Sequence, residues 1–543
     1  MPCPCGRAHV PSTPDILIGP GVLDALAGLV AKNATNGKIF LVSDENCYAA
    51  AGEKVLSALG GPPAGSGPNP GGPSAGSGAN CGGQPSGSSA NCGGPPAGSC
   101  PNFDIRELIL SGETHESATD AGEAFSGETG ETQAGETGIC EAEMRKTGRG
   151  GPGASDALPG EVRAGETNPG EAISGEASGN GGFADKFIFF GLLPDERALG
   201  RIFAECPPDA GLILAVGSGT VNDLSRFAAS RLKIPYIVVA TAPSMDGYAS
   251  GVSALLINGF KSTYDAVAPA AIIGDADVLS GAPEIMKSAG FGDVIGKYTS
   301  LSDWRLGALI FGEYHCRYIE GLVERAVEKC AANPHDAAAL MEGLCLSGTA
   351  MSYAGSSRPA SGAEHHLSHF WEMRFTAGRR YDPPHGIKVG VASLAMIRLR
   401  EMLREEEPKV FDRAREKARR FDFAAYGRKI SEIYGQNAAR IIAAEAAERD
   451  PENVLRRIGL YEEKWPEILE ECGGAPPFEY VRELLKTAGA PVRPQDLGVT
   501  RGEFIDGIIH AMVIRPRFTI LRLLADMGIL EPYAQALAAE FGY

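Results

Sequence analysis

Four of the nine histidines lie within 21 residues, and their spacing indicates a metal site. His365 and His369 are four residues apart, so on a helix both side chains lie on one face, whereas His366 points elsewhere. His385 follows a proline-rich turn, and Asp293 stands among glycines at the start of a predicted helix. Two imidazoles and a carboxylate leave open the coordination positions that a catalytic divalent metal requires. A polar helix face is the alternative explanation of the histidine pair.

A glycine-rich turn further upstream could bind a phosphate group. In GLILAVGSGTVNDL an apolar strand runs into Gly217, Ser218 and Gly219, and the next helix is predicted to begin with Thr220 as its N-cap. Glycines let the backbone approach a pyrophosphate, and N–H groups at a helix start attract its charge. A tight turn explains GSGT equally well, since it is not the GxGxxG pattern. Asp44 ends an earlier strand and suits the ribose hydroxyls of NAD, with a helix cap as the alternative.

The elements that must position these residues change in kind along the chain. KIFLVSD (38–44), GLILAV (211–216) and PYIVVA (235–240) predict buried strands, and helical patterns lie between them. This alternation is typical of a parallel sheet with helices on both faces. From about Pro283 long helical patterns take over, including EEEPKVFDRAREKARRFD and EFIDGIIHAMVIRPRFTILRLLADMG. We therefore predict an α/β nucleotide-binding domain at 1–282 and an all-helical domain that binds metal and substrate at 283–543.

Residues 61–182 differ from the rest of the chain in composition. They hold 30 of the 71 glycines and 12 of the 37 prolines, with repeated GET and GEA units in the second half. Such a stretch cannot bury enough apolar surface to offset its ordering entropy, so we predict a disordered, low-complexity insertion in the first domain. FDIRELIL (103–110) is the exception, because its apolar pattern is that of a strand or short helix. We interpret it as a piece of the host fold.

The charge and hydropathy of the chain exclude several classes of partner. A formal net charge of −18 argues against a binder of nucleic acid or of an anionic membrane. No apolar run approaches the roughly 18 residues of a membrane span, and the first residues lack the pattern of a signal peptide. We expect a cytoplasmic protein whose partners are small molecules.

The 12 cysteines are scattered, which predicts reduced thiols rather than a disulfide scaffold. Cys3, Cys5 and His9 could bind a metal, but CxC is not a standard zinc spacing. A disordered or loosely packed N-terminus is the favoured interpretation.

Four long motifs resemble one known family. They are TAPSMDGYASGVSALL (241–256), GFGDVIGKYTSLSDW (290–304), SSRPASGAEHHLSHFWEM (356–373) and HGIKVGVA (385–392). Together and in this order they are similar to the sn-glycerol-1-phosphate dehydrogenases of the bacterial AraM type. That family lies in the iron-containing alcohol dehydrogenase and dehydroquinate synthase superfamily. The resemblance covers residues 14–60 and 183–400 well, the C-terminal part loosely, and residues 61–182 not at all.

The resemblance implies a set of metal and catalytic residues. Asp293, His365 and His385 are expected to hold one divalent metal, zinc or nickel in preference to iron. Asp293 and His369 are the implied catalytic residues, and both would face the substrate.

The resemblance also implies how cofactor and substrate bind. NAD would be the cofactor, with NADP as the alternative, and its pyrophosphate would lie on the GSGT turn. The other implied NAD contacts are Thr241, Ser244 and Ser250. Asp246 would bind the glycerol hydroxyls. Arg358 and Lys297 are predicted to bind the substrate phosphate, although surface or helix-end charges explain both residues nearly as well.

The implied reaction is the reversible reduction of dihydroxyacetone phosphate by NADH to sn-glycerol 1-phosphate, in a homodimer. A polyol dehydrogenase such as a glycerol dehydrogenase, or a dehydroquinate synthase-like lyase, could use the same scaffold. A non-catalytic interaction scaffold that recruits a partner through the insertion is the alternative from another class.

Overall fold

The computed structural model describes residues 3–60, 103–111, 192–257, 260–378 and 380–543. A parallel sheet of six strands lies in the first part of the chain, in the order β1-β8-β5-β4-β2-β3. Its strands are β1 (Asp15–Gly19), β2 (Lys38–Asp44), β3 (Asp104–Leu110), β4 (Leu212–Gly217), β5 (Tyr236–Ala240) and β8 (Ala271–Asp275). Between β5 and β8 the chain forms an antiparallel hairpin of β6 (Val252–Ile257) and β7 (Phe260–Asp265).

Helices cover both faces of the sheet. They are α1 (Leu26–Asn33), α2 (Glu45–Cys47), α3 (Glu53–Ala58), α4 (Glu196–Glu205) and α5 (Gly219–Leu232), and a π-helical turn joins α2 to α3. Alternate residues of β2 enter different cores, since Phe40 and Val42 pack on one face while Ile39 and Leu41 pack on the other. Strands buried on both faces are what a parallel sheet requires. The predicted α/β class is confirmed.

Sixteen helices make up the rest of the described chain. They are α6 (Ala276–Ser280), α7 (Glu284–Ile295), α8 (Lys297–Phe311), α9 (Arg317–Ala332), α10 (Ala337–Ala354), α11 (Ala363–Ala377), α12 (His385–Arg404), α13 (Val410–Arg419), α14 (Phe423–Tyr434), α15 (Ala438–Glu448), α16 (Pro451–Glu463), α17 (Trp465–Gly473), α18 (Phe478–Thr487), α19 (Arg501–His510), α20 (Ile520–Asp526) and α21 (Leu530–Glu540). Helix α12 is buried along most of its length and packs against α7, α11, α17 and α18. The predicted helical second half is confirmed.

The described residues all fall within one compact unit, so the domain boundary at 282/283 stays a prediction. No helix among these residues is long and apolar enough to cross a membrane.

Strand β3 settles the nature of FDIRELIL. It pairs in parallel with β2 from Lys38 opposite Asp104 to Asp44 opposite Leu110. Leu108 and Leu110 are buried in the core. The interpretation of this stretch as part of the host fold is confirmed, and it forms the edge of the sheet. The predictions for the remainder of 61–182 lie outside the described residues.

Three details of the helix predictions are wrong. Asp293 was expected at the start of a helix, but it lies in the last turn of α7. Helix α5 begins at Gly219 with Ser218 in the N-cap position, so Thr220 lies inside the helix. The pattern at 503–528 is two helices, because α19 ends at His510 and α20 begins at Ile520. Pro516 lies in this break, where its ring prevents a continuous helix.

Candidate active site

Three packed helices bring the predicted metal ligands together. Helix α7 carries Asp293, α11 carries His365, and α12 begins at His385. Glycine is required where α7 meets α12, since a Cβ at Gly292 would lie 2.3 Å from the carbonyl oxygen of Gly386. Asp293 and His385 therefore each sit beside a close contact between two helix backbones.

The side chains of Asp293, His365 and His385 converge. One donor atom from each lies within 4.8 Å of the other two. His365 Nε2 is 3.5 Å from Asp293 Oδ1, and the rings of His365 and His385 are 5.3 Å apart. His369 lies beside them, with its ring 5.2 Å from that of His385. Nitrogen, nitrogen and oxygen donors at this separation fit a divalent transition metal.

A buried glutamate orients His365. Glu364 Oε1 lies 2.8 Å from His365 Nδ1, and Gly362 N–H and Thr299 Oγ1 each donate to this carboxylate at 2.6 Å. Burial alone would raise the pKa of Glu364, but these hydrogen bonds lower it below its usual value. A charged Glu364 holds the proton on Nδ1 and leaves Nε2 directed at Asp293. The sequence analysis missed this residue, although it precedes His365 in the motif.

A second buried glutamate orients two histidines at once. Glu372 Oε2 lies 2.9 Å from His369 Nδ1, and its Oε1 lies 2.7 Å from His385 Nδ1. Lys388 Nζ is 3.4 Å from the same Oε1. His369, Glu372 and His385 form a second group that could hold a metal. Because the Nδ1 atoms of both histidines lie at hydrogen-bond distance from this carboxylate, we interpret Glu372 as the acceptor that orients the two rings.

A buried lysine links Asp293 to Asp246. Lys297 Nζ lies 2.8 Å from Asp293 Oδ1 and 2.7 Å from Asp246 Oδ2. Asp246 N–H donates to Asp293 Oδ2 at 2.9 Å, and Ser347 Oγ donates to Asp246 Oδ2 at 2.9 Å. Burial opposes the charge, but the two carboxylates raise the pKa of Lys297 above its usual value. The predicted contact of Lys297 with the substrate phosphate stays a prediction, and the structure places its ammonium between two acids.

Two arginines that the sequence analysis missed lie beside His369. Arg515 Nη2 is 3.4 Å from His369 Nε2, and its Nη1 donates to Ser357 Oγ at 3.2 Å. Arg517 Nη2 donates to the same Ser357 Oγ at 3.0 Å, and its Nη1 donates to the Ser361 carbonyl at 2.8 Å. Within the described ranges, no carboxylate lies within the 4.0 Å of an ion pair for either guanidinium. The RPR sequence around the helix break was the available signal.

The pKa values of both arginines lie below their usual value. Burial lowers the pKa of Arg515. Burial, together with Arg515 and Arg358, lowers the pKa of Arg517 to about 9. Two adjacent, half-buried guanidinium groups that form no ion pair among the described residues suit the binding of a phosphate group.

Within the described part of the chain, Arg358, unlike Arg515 and Arg517, forms an ion pair with a carboxylate. Its Nε donates to Glu313 Oε2 at 2.8 Å, its Nη2 contacts the same oxygen, and its Nη1 donates to the Phe518 carbonyl at 2.7 Å. The ion pair connects Arg358 to the segment after α8. The hydrogen bond to Phe518 connects the same guanidinium to the segment before α20. Its predicted phosphate contact stays a prediction that this geometry disfavours.

The predicted nucleotide contacts meet at the carboxyl edge of the sheet. Gly217 ends β4, and no side chain caps the N-terminus of α5 that follows, so the N–H groups there are open to a phosphate. A Cβ at Gly217 would lie 2.4 Å from the Val221 side chain, which explains the glycine. Thr241 follows β5, and its backbone N–H donates to the Gly217 carbonyl. Parallel sheets bind their ligands at this edge.

The remaining contacts are buried near the same edge. Asp44 ends β2 and caps α2, where its Oδ1 accepts from Cys47 N–H at 2.8 Å. The helix-cap alternative is therefore confirmed, and the ribose contact stays a prediction. Ser244 and Ser250 are buried in the loops that follow β5, and their contacts with NAD also stay predictions.

Comparison with known proteins identifies the family. A profile of the iron-containing alcohol dehydrogenase family matches residues 197–283. The chain is 34% identical over 349 residues to glycerol-1-phosphate dehydrogenase (NAD(P)+) of Geobacillus thermodenitrificans, covering 63% of this chain and 78% of the relative. It is 40% identical over 358 residues to the enzyme of that name from Geobacillus stearothermophilus, with the same coverage. For the Bacillus subtilis enzyme the identity is 37% over 340 residues, 61% of this chain and 74% of the relative.

Among solved structures, glycerol dehydrogenase from Schizosaccharomyces pombe aligns with 99% of this chain and 94% of its own, at 13% identity and a TM-score of 0.48. The family resemblance drawn from the four motifs is confirmed by the sequence relatives. The chain belongs to the glycerol-1-phosphate dehydrogenase family, within the iron-containing alcohol dehydrogenase superfamily.

Proposed function

We propose that this chain catalyses the reversible reduction of dihydroxyacetone phosphate to sn-glycerol 1-phosphate by NADH, at a metal held by Asp293, His365 and His385. The observation that carries the proposal is the placement of oriented metal donors next to an unpaired arginine pair. Donors of this kind suit a carbonyl and alcohol redox site, and the arginines suit a phosphate on the same substrate. Membership of this family implies a nucleotide cofactor and a metal, but it does not specify which metal.

The residues present fit a catalytic divalent ion. Three protein donors leave room for a substrate oxygen, which a closed structural site would not. Each histidine has its Nδ1 on a buried glutamate, the usual arrangement behind a metal-binding imidazole. Nitrogen and carboxylate donors suit zinc or nickel, which we propose in preference to iron. The ion would supply positive charge at the carbonyl oxygen, where negative charge develops during hydride transfer.

His369 is proposed to handle the proton. Its Nδ1 faces the Glu372 carboxylate and so carries the hydrogen, which leaves Nε2 as the acceptor. Burial lowers the pKa of His369 well below its usual value, so the ring is neutral at neutral pH. In the oxidation direction, Nε2 can accept the proton of the substrate hydroxyl directly or through a water.

Arg515, Arg517 and Ser357 are proposed to bind the substrate phosphate. Phosphate oxygens would accept from the two guanidinium groups and replace the missing counter-charge. An unphosphorylated polyol would leave both half-buried guanidinium groups without an ion-pair partner, which favours the phosphate dehydrogenase over a glycerol dehydrogenase. Asp246 is proposed to bind the substrate hydroxyls through Oδ1, since Lys297 and Ser347 occupy its Oδ2.

NAD is proposed to bind across the carboxyl edge of the sheet. Its pyrophosphate would lie on residues 217–220, where the helix start has no side-chain cap. Asp44 keeps one carboxylate oxygen outside its cap contact, and this oxygen would accept from a ribose hydroxyl and repel a 2′-phosphate. We therefore propose NAD in preference to NADP. The dimeric state and the cytoplasmic location stay predictions.

The proposal is tested by following NADH oxidation with dihydroxyacetone phosphate and, in parallel, with unphosphorylated dihydroxyacetone. We expect efficient turnover with the phosphorylated substrate and only low activity with dihydroxyacetone, loss of turnover after chelation, and its return with Zn²⁺ or Ni²⁺. Equal efficiency with both substrates would instead support the polyol dehydrogenase. Absence of NADH consumption with the metal-loaded protein would overturn the proposed reaction, and efficiency with NADPH equal to that with NADH would overturn the assignment of Asp44.

A further inference from the structure

Four metal-binding side chains meet at a place remote in sequence from the catalytic motifs. Cys3, Cys5 and His9 come from the first residues of the chain, and Cys316 immediately precedes α9. One donor atom of each lies within 4.8 Å of the donor atoms of the other three. The sequence analysis considered the N-terminal trio without Cys316, and it therefore lacked the fourth donor.

The distances match those around a tetrahedral zinc ion. Cys3 Sγ is 3.6 Å from Cys316 Sγ, Cys5 Sγ is 3.3 Å from His9 Nε2, and Cys316 Sγ is 3.5 Å from the same Nε2. Zinc bonds of about 2.3 Å to sulfur and 2.0 to 2.1 Å to nitrogen place tetrahedral ligand atoms about 3.6 to 3.8 Å apart. These three separations lie within about 0.3 Å of the tetrahedral values, and the remaining pairs lie within 4.8 Å.

Local structure holds the donors in this arrangement. The backbone N–H of Gly6 donates to the Cys3 carbonyl, closing a turn that presents both N-terminal thiols, and Gly6 has the positive φ of 80° that such a turn requires. The His9 ring is stacked 5.7 Å from that of Tyr318. Tyr314 Oη donates to Cys5 Sγ at 3.4 Å.

The N-terminal segment is packed, which differs from the loose N-terminus expected from the sequence. Cys3 and Cys5 pack against a core cluster that includes Trp304 and Cys316. Arg7 lies over the Tyr314 ring at 3.5 Å, and its Nη1 donates to the Ala354 carbonyl. The segment contributes little apolar surface of its own, so a metal crosslink supplies a physical reason for its attachment to the helices.

We propose that Cys3, Cys5, His9 and Cys316 form a structural zinc site that fastens the N-terminus to the start of α9. Three thiolates and one imidazole close the tetrahedron, so no position remains for substrate. This site is separate from the proposed catalytic one, whose donors are nitrogen and oxygen only. Among the groups that could hold a metal in the described part of the chain, this is the one with sulfur donors, and loss of sulfur ligation in the Cys3 and Cys5 variant assigns the signal to it.

The test uses the full chain with the substitution His365→Ala, which removes a ligand of the proposed catalytic metal, and measures zinc content together with zinc X-ray absorption. We expect about one tightly bound zinc per chain with sulfur neighbours at about 2.3 Å. After exchange for Co²⁺, thiolate charge-transfer absorption in the near ultraviolet is expected. Adding Cys3→Ser and Cys5→Ser should remove both signals and lower Tm, while the matched control Cys206→Ser should keep them.

The variants are chosen to keep the outcome decisive. Both serine substitutions lie in the N-terminal segment, outside the sheet and the helices, so the chain should still fold. Absence of sulfur-bound zinc after incubation of the reduced protein with Zn²⁺ overturns the site. A zinc signal that survives the double substitution, or a disulfide between Cys3 and Cys316 in the purified protein, overturns it as well. Failure of the activity assay leaves these measurements unchanged.

Discussion

At the scale of single residues, the site depends on acids that touch no substrate. Glu364 and Glu372 hold the Nδ1 atoms of three histidines, so they decide which nitrogen of each ring faces the metal and the substrate. A neutral amide in place of either glutamate would keep the shape but lose the charge that fixes the tautomer. The geometry of the site therefore depends also on these two glutamates, which lie behind the histidines proposed to contact metal and substrate.

Substitution of Glu372 tests this layer. Glu372→Gln should weaken zinc retention about 10- to 100-fold, because the amide cannot accept from His369 and His385 equally well. Metal content after dialysis against a graded chelator, and the pH profile of kcat, measure the effect. The exposed Glu467→Gln is the control. Unchanged zinc affinity and an unchanged pH profile would show that the glutamate has no positioning role.

The arginine pair makes a prediction about substrate choice. Arg517→Gln should lower kcat/KM for dihydroxyacetone phosphate by about 10- to 100-fold, since a hydrogen bond to a charged group is worth about 1.5 to 3 kcal/mol. The low activity with dihydroxyacetone should not fall. Arg358→Gln is the comparison, and there we expect lower Tm from loss of the Glu313 ion pair with little change in KM. An equal loss with both substrates would contradict the assignment of Arg517.

The metal ligands and their neighbour His366 give contrasting outcomes. His365→Ala, His385→Ala and Asp293→Asn should each reduce activity by about 10³-fold or more in a folded protein, since the developing negative charge loses its stabilisation. His366 is fully buried and neither ring nitrogen has a hydrogen-bond partner among the described residues. His366→Ala should lower stability by about 1 to 3 kcal/mol while activity per folded molecule is kept. Activity within about tenfold of the parent for any ligand variant would contradict the metal assignment.

At the scale of elements, β3 divides the segment 61–182, which the sequence analysis treated as one insertion, into two stretches. Helix α3 ends at Ala58 and β3 begins at Asp104, while β3 ends at Leu110 and α4 begins at Glu196. In sequence, the first stretch thus lies between α3 and β3, and the second lies between β3 and α4. The strand itself supplies Leu108 and Leu110 to the core and covers the edge of β2.

Deletion variants test this division. Replacing 61–102 and 112–182 with short Gly/Ser linkers, with Phe103 to Ser111 retained, should leave a soluble and active protein, because loop-closure entropy changes slowly with length. Replacing the whole of 61–182 should give aggregation, since β2 becomes an exposed edge. Size-exclusion profiles and NADH oxidation measure both variants. Equal solubility of the two would show that β3 is dispensable.

At the scale of the whole molecule, buried ion pairs join the C-terminal helices. Glu445 on α15 accepts from Arg522 on α20 at 2.5 and 3.0 Å, and from Arg449 at 3.2 Å. Arg457 on α16 donates to Asp526 on α20 at 2.6 Å. Because these charges are buried, loss of one partner leaves the other uncompensated. These ion pairs fix α20 to α15 and α16. The segment between α19 and α20, which carries Arg515 and Arg517, directly precedes α20.

Glu445 makes a prediction about acid stability. Burial alone would raise its pKa, but Arg522 and Arg449 lower it below the ordinary value of about 4.5. Its stabilising contribution is therefore fully present above about pH 4.5 and is lost as pH falls below that value through the folded-state pKa. Glu445→Gln should cost about 3 to 5 kcal/mol at pH 7 and flatten the fall in stability under acid. Urea unfolding at several pH values measures this, and an unchanged acid dependence would contradict it.

The sequence by itself determined three of the eight described strands (β2, β4 and β5), the class of fold and the candidate metal ligands. Strands such as KIFLVSD were predictable because hydrophobic burial leaves a local, periodic trace in the chain. The ligand motif was predictable because His365 and His369 are neighbours on one helix, and the helical period is a local property. FDIRELIL showed the same kind of trace despite its unusual surroundings.

Only the tertiary structure decided the partnerships between distant residues. Arg515 and Arg517 contact Ser357 across more than 150 positions, Arg358 pairs with Glu313, and Cys316 contacts Cys3 across 313 positions. The hydrophobic periodicity of the sequence does not predict such contacts, because they depend on how helices pack on one another. The sequence gives the charge and the donor atoms of each side chain. Whether a given group has a hydrogen-bond or ion-pair partner depends on which side chains the packing brings within hydrogen-bond distance.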